Sequence, residues 1–567
     1  SVSDGTDITA WSDNSGNSNN LAQANTSFTP RYYSSVVNGF PVARFEQANN
    51  RIVHNSFDDF PSSAITAIYV NRTTDSGDGV LSYASSAHDN DFLMFSSNSL
   101  QVFVDNSSNG SGVVFNDNSF HIAQANWQSS GGALAVWKDG RQDHTATHQS
   151  GGVITSNGTL AIGGEQDAVD GGYASGQAHS GDIAEVILYN VSLNTTNTVI
   201  VNNYLAAKYG LTLASNDIYD QDDMANGDFD YEVAGIGRVS SSDLHLDAKG
   251  SGAVRINDPQ GLDDNEFLLW GHNNATLIGT NTDVPIGVSR RFERVWRVSE
   301  VNQTGTTVDV GGIDVSFDLA GLGNVDVNDL VLLVDADGTF AAGATQVTGA
   351  IADGGDTYRF DNVTAITDNS YFTLATLDRI DTPLPIELLS FSAEVDLDGQ
   401  VMLQWETASE VNNSHFTIER SANVRDWQVL RLVTGAGNSN DLLAYEHIDE
   451  RPLNGESYYR LKLTDFNGDY SFSELVSVRV ETPSLEVRVY PNPVNTGDAV
   501  HVSGGQAGKS LELVLINGRG QVILQKQAVW PTEGSFEMET NRLTAGVYYL
   551  RLTSNKDITQ TFKLLVR

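Results

Sequence analysis

Apolar and polar residues alternate with a period of two along most of the chain, in short runs cut by Gly, Asn, Asp and Ser turns. Gln400-Val401-Met402-Leu403-Gln404-Trp405-Glu406, Tyr458-Tyr459-Arg460-Leu461-Lys462-Leu463 and Leu511-Glu512-Leu513-Val514-Leu515 show the pattern. A period of two sends alternate side chains to opposite faces, so each run predicts a strand with one face in a core. Helical spacing is nearly confined to Val201, Leu205 and Tyr209, which predicts one short amphipathic helix stopped by Gly210. The chain is therefore expected to be all-β with a single helix as a landmark.

At 567 residues it is too long for one core. Thr382-Pro383-Leu384-Pro385 reads as a stiff linker, because each proline forces its predecessor into an extended conformation, and Thr482-Pro483-Ser484 reads as a second joint. Pro491 and Pro493 fix two φ angles around Asn492 and open a last module whose strands are split at Asn517-Gly518 and Ala545-Gly546. The expected organisation is a string of β-sandwiches over residues 1–213, 214–380, 384–482 and 485–567.

Composition narrows the chemistry. With no cysteine there are neither disulfides nor thiolate metal sites. A net charge of −40 repels nucleic acid and anionic membrane surfaces and favours cations or neutral partners. The tail differs: from Glu486 onward nine Lys/Arg face seven Asp/Glu. No apolar run is long enough to span a bilayer as a helix. Ser1-Val2-Ser3-Asp4 has neither a basic nor an apolar leader pattern, so any secretory signal is expected ahead of Ser1.

Several phrases resemble known families. Pro491-Asn492-Pro493, the Gly546-Val547-Tyr548 strand and the basic end from Lys563 to Arg567 resemble, in that order, the C-terminal sorting domain of Bacteroidetes proteins exported by the type IX secretion system. The resemblance implies an Ig-like sandwich that is recognised by the outer-membrane translocon and its shuttle protein, then commonly cleaved and replaced by a lipopolysaccharide linkage. Ala10-Trp11-Ser12-Asp13-Asn14-Ser15-Gly16-Asn17, Val42-Ala43-Arg44-Phe45 and Ser180-Gly181-Asp182-Ile183-Ala184-Glu185-Val186-Ile187-Leu188-Tyr189, followed by the helix, resemble a concanavalin A-like, laminin G-type jelly roll over residues 1–213. In that family a strand precedes the Trp motif, and it is expected ahead of Ser1 or from a neighbouring subunit. Residues 384–482 resemble a fibronectin type III-like spacer, and Phe267-Leu268-Leu269-Trp270-Gly271-His272 belongs to a stretch similar to an uncharacterised domain that follows such jelly rolls.

Candidate chemistry is sparse. Glu165-Gln166-Asp167-Ala168-Val169-Asp170 approaches the Glu-x-Asp-x-x-Glu pattern of jelly-roll glycoside hydrolases, whose mechanism needs two carboxyls about 5–5.5 Å apart. Polar Gln166, a final Asp170 and bracketing Gly pairs predict a solvated acidic loop instead. Calcium takes several carboxylate and carbonyl oxygens, and Asp167, Asp170, Asp220, Asp222, Asp335 and Asp337 are its candidate ligands, none in an EF-hand register. Histidines are scattered without a zinc spacing, and no Gly-x-Ser-x-Gly elbow occurs. Tyr173 and Tyr32, with polar neighbours, are candidate carbohydrate-contacting rings.

The sequence thus predicts a secreted surface adhesin or glycan-binding protein with the tail as sorting signal and no catalytic residues. A self-associating subunit of an extracellular filament or surface layer is the alternative, and a glycan-cleaving enzyme stands third.

Overall fold

The computed structural model describes residues 2–46, 49–250, 252–320, 325–378, 388–396, 399–407, 410–439, 443–465, 470–480, 487–504, 508, 510–531, 535–554 and 558–567. The Pro-rich linker at 382–385 and the joint at 482–484 lie outside them. The chain is all-β, as its period-two patterning predicts, with every paired strand in its ladders antiparallel.

The N-terminal part packs two eight-stranded sheets face to face. The first has Ala64–Thr73 at its centre, flanked by Phe120–Gln128 and Gly181–Tyr189. The second runs through Phe92–Phe95, Gly79–Ala84, Gly158–Ile162 and Ile52–Phe57. Between them lies a core that includes Phe45, Tyr69, Leu81, Tyr83, Phe115, Trp127 and Ile162, every one nearly or fully buried. Short N-terminal strands sit on the edges: Thr6–Asp7 pairs with Arg31 and Tyr32 in the first sheet, and Ala10–Trp11 pairs with Leu21–Ala22 in the second.

The helix runs Thr195–Tyr209, six residues further toward the N-terminus than the Val201-Leu205-Tyr209 spacing indicates. Thr195, Thr196 and Thr198 are poor helix formers, so this first turn is held by capping. Asn194 accepts from the Asn197 backbone N–H at 2.8 Å, and Asp243, from a later strand, accepts from the backbone N–H groups of Thr195 and Thr196 at 3.0 and 2.9 Å. Gly210, with φ +60°, ends the helix in the left-handed conformation that favours glycine.

This helix has two buried faces. Leu205, Ala206 and Tyr209 pack on Ile68 and Val70 of the first sheet's outer face. Val199, Ile200 and Ala207 pack with Tyr219, Val233, Phe267 and Leu269, which belong to the following β-structure. The position placed at the end of the first module is thus shared by two cores.

The following β-structure pairs a nine-stranded with a five-stranded sheet around Trp270, Trp296, Phe317, Leu332, Phe360 and Phe372. A three-stranded and a five-stranded sheet then enclose Trp405, Phe416, Tyr459 and Leu461. The last sandwich, of three and four strands, encloses Val500, Leu513, Trp530 and Leu550. There the side chain of Asn492 donates to the Lys563 carbonyl at 2.6 Å and accepts from the Leu565 N–H at 3.0 Å, so it pairs with the final strand much as a backbone would.

Candidate functional site

Strand Gly79–Ala84 sends Leu81 and Tyr83 into the jelly-roll core and Ser82 to the opposite face. After Gly158–Ile162 the chain turns back over that outer face. Its return starts at Gly163, whose φ of +87° suits glycine and whose added Cβ would lie 2.1 Å from the Phe45 ring. Gln166, fully buried, holds the returning segment down: its Nε2 donates to the Thr159 carbonyl at 2.9 Å and the Ser82 carbonyl at 3.1 Å. Its Oε1 accepts from the Asp170 N–H at 3.2 Å and the Tyr173 hydroxyl at 3.3 Å.

Glu165 is therefore not on a solvated loop. It is 3% exposed, and a Cβ on Gly79 would come within 2.7 Å of its own Cβ. Its Oε2 is buried with no hydrogen-bond partner. Burial, then the charges of Asp167 and Asp89, push its carboxyl up to about 7. Asp89 and Asn90 come from the turn between Gly79–Ala84 and Phe92–Phe95, and Asn90 Oδ1 is also buried and unpartnered. The next residue, Asp91, is buried too: its Oδ2 accepts from the Ser85 hydroxyl and the Thr155 N–H, while its Oδ1 has no hydrogen-bond partner. Two loops thus supply hard oxygen donors around Glu165.

The other candidates are dispersed. Asp167 and Asp170 are exposed on the same returning segment, Asp170 within 3.4 Å of the Asn55 amide. Tyr173 stands beside them, with one ring face covered by the Arg51 guanidinium 3.9 Å from its centroid. Tyr32 is on the other sheet, where it lines a groove of about 440 Å³ with Ile8, Trp11, Pro41, Val42 and Ala184. Asp335 Oδ1 accepts the N–H groups of Asp337, Gly338 and Thr339, and Asp337 accepts from Thr339 too, so this pair folds its own turn. Asp220 and Asp222 follow the helix, far along the chain from Glu165. Among the described residues no three His, Asp or Glu side chains already form a metal-holding group. A cation at Glu165 would accordingly draw on amide and backbone oxygens as well as carboxylates.

Asp89 and Asn90 escaped the sequence reading. The signal available was a polar His88-Asp89-Asn90-Asp91 turn between two apolar strands, which is what any hairpin shows.

Comparison with known proteins assigns three segments. Residues 52–218 match the Pentaxin family, residues 198–370 match a domain of unknown function, DUF8202, and residues 488–567 match the secretion system C-terminal sorting domain. The tail is a sorting signal. It directs export through the type IX system to the cell surface or extracellular space. The first two matches overlap on the helix, the element with two buried faces.

The C-reactive protein of Rattus norvegicus is 26% identical over 140 residues, 24% of this chain and 60% of the relative's length. That of Homo sapiens is 24% identical over 155 residues, 25% of this chain and 68% of the relative. Among solved structures, the heptameric SAP-like pentraxin of Limulus polyphemus has 21% identity and a TM-score of 0.25, covering 28% of this chain and 81% of its own. A putative carbohydrate binding protein from Bacteroides ovatus has 12% identity and a TM-score of 0.22, covering 28% and 45%. Among the described residues no helix is long and apolar enough to cross a membrane.

Proposed function

We propose that this exported chain is a surface or extracellular binding protein, an adhesin or glycan binder, whose jelly roll takes its ligand through a calcium-type cation on the outer face of the second sheet. The observation that carries this reading is Glu165, enclosed with a partnerless Oε2 beside the charges of Asp167 and Asp89. A buried carboxylate without a counter-charge is costly, and several hard oxygens around it are what a calcium ion takes as ligands. Glu165, Asp167, Asp89 and the amide oxygen of Asn90 would hold the ion, and its remaining positions would take oxygen ligands such as sugar hydroxyls or acidic groups. Gln166 keeps the two-loop arrangement in place through Ser82 and Thr159. The match of residues 52–218 to the Pentaxin family supports treating this jelly roll as a recognition module.

The reading assigns no catalysis. Its ground is the enclosure of Glu165, which is 3% exposed, whereas a glycosidase needs two carboxyls open to the scissile bond.

The test is a glycan array probed with the full chain in calcium and in chelator, alongside the Glu165→Gln/Asp167→Asn double variant. Binding that needs calcium and is lost in the variant is expected. Binding that is indifferent to both would overturn the reading.

A further inference from the structure

The first sheet of the jelly roll has a gap in its interior. On one side Gly181–Tyr189 pairs with Ala64–Thr73, from Gly181 opposite Thr73 to Tyr189 opposite Thr66. On its other side it pairs with Phe40–Phe45 only at Gly181, Asp182 and Ile183. The register shifts between Ile183 and Glu185, and among the described residues no strand pairs with residues 185–189 on that second side. The backbone N–H and C=O groups that point there have no ladder partner, in the middle of a sheet and not at its rim.

The gap opens into the groove of about 440 Å³ that Tyr32 lines. Ala184 and the Pro41-Val42-Ala43 run bound this groove, and so does the stretch from Thr6 to Ser12, which crosses from the first sheet to the second. Apolar side chains beside the gap are short of cover. Val186 and Leu188 are half-buried, although Tyr69 and Ala67, opposite them on the next strand and in the same core, are fully enclosed. Ile8 and Trp11 are half-buried against that core as well. The carboxylate that lines the groove, Asp7, faces Arg31 at 3.9 Å, so the groove favours a neutral occupant.

A lipid chain would cover the apolar side chains and leave the backbone groups unpaired. Extended polypeptide meets both needs, because it offers N–H and C=O groups at about 3.3 Å per residue and sets alternate side chains on one face. We propose that the gap accepts a strand: an extended segment of a partner protein, with alternating apolar residues, pairs with residues 185–189 and buries its apolar face on Val186, Leu188, Ile8 and Trp11. A second copy of this chain has no described strand to lend, since each already belongs to a ladder and would have to leave its own sandwich. The strand site shares no residue with the one at Glu165 and needs no cation, so either can fail alone.

The experiment titrates the full-length chain, in chelator, into a fluorescein-labelled peptide Lys-Thr-Val-Thr-Val-Thr-Val-Lys, with a control peptide of the same composition whose three valines are adjacent. Saturable binding of the alternating peptide is expected by anisotropy, at least tenfold tighter than the control, with hydrogen exchange slowed at residues 185–189. Ala10→Trp, at an exposed position on the groove wall, fills the groove and should lose that binding at least tenfold while keeping calcium-dependent binding at Glu165. Should that variant not fold, Val186→Thr keeps the side chain's shape and should weaken binding several-fold. Equal binding of the two peptides, no saturable binding, or exchange at residues 185–189 that is already slow in the monomeric chain alone overturns the proposal. Self-association that slows exchange there without peptide overturns it too, because the occupant is then a second copy.

Discussion

His179 Nδ1 stands 2.6 Å from Asp78 Oδ2, with both side chains fully enclosed. Asp78 also accepts the N–H and the hydroxyl of Ser97, each at 2.9 Å. The pair sits where the segment carrying Glu165 is tied off, since the His179 N–H donates to the Gly163 carbonyl and the Gly79 N–H to that of Gln177. Removing the imidazole leaves a buried carboxylate without its partner, which typically costs about 3–5 kcal/mol. His179→Ala should lower stability by that order in urea unfolding at pH 7, and should weaken calcium-dependent binding with it.

Asp78 sets an acid limit. Burial alone would raise its pKa, but the hydrogen bond and charge of His179 and the Ser97 donors outweigh burial and hold it below the ordinary value of 3.8. A depressed folded pKa means its contribution is complete above the unfolded value and is lost as pH falls through the folded one. Acid titration by circular dichroism should show this contribution intact at pH 5 and disappearing below about pH 4.

Glu300 has the opposite sign. It is 2% exposed, accepts the Val310 N–H at 2.6 Å, and is raised to about 7 by burial, with Asp309 and Asp368 adding to the shift. The fold prefers its neutral form, so its contribution is full below the ordinary 4.5 and is lost as pH rises through about 7. Glu300→Gln keeps an acceptor for Val310. It should be more stable than the parent by about 3 kcal/mol at pH 8 and equal to it at pH 4, measured by denaturant midpoints.

Gln166→Ala removes the amide that pins the returning segment to Thr159 and Ser82. Freed backbone carbonyls in a buried setting cost about 1–3 kcal/mol. The sharper readout is ligand: calcium affinity should fall several-fold while Gln166→Glu, which keeps the shape but not the donors, fails to rescue it. Retained affinity in Gln166→Ala would separate the segment's placement from the site.

Asn203→Ala strips the helix of its bonds to Ile218, Tyr219 and Asn216. Because one helix serves two cores, calorimetry of the parent should show the jelly roll and the following β-structure melting together. The variant should split or broaden that transition. Separate transitions in the parent would contradict the shared core.

Asn492→Ala should leave the last sandwich folded but raise hydrogen exchange at the Leu565 amide, whose acceptor is Asn492 Oδ1. Loss of protection across Leu511, Leu513 and Leu550 instead would show that Asn492 supports the whole core.

Strand content was legible because alternation in stretches such as Val401–Thr407 survives into the burial of Val401, Leu403, Trp405 and Thr407. The Gly210 stop was legible for the same local reason. The helix start was not, because Asp243 supplies two of its cap bonds from 47 and 48 residues away. Glu165 failed in the same manner: its flanking glycines suggest a solvated turn, and only the approach of Gly79, Ser82 and the Asp89-Asn90 turn encloses it. Tyr173 kept its polar neighbours, but nothing local announces that Arg51 will cover its ring. Chemistry here depends on contacts between distant segments, which a linear pattern does not record.

A helix wedged between two cores also imposes an order of events on a chain delivered end first. If the N-terminus arrives first, the jelly roll's own sheets can pair while one side of Val199, Ile200 and Ala207 waits, wet and apolar, for Phe267 and Leu269 to emerge. The interval between those arrivals is when this protein is most exposed to mispairing with its neighbours, and it closes well before the sorting tail appears.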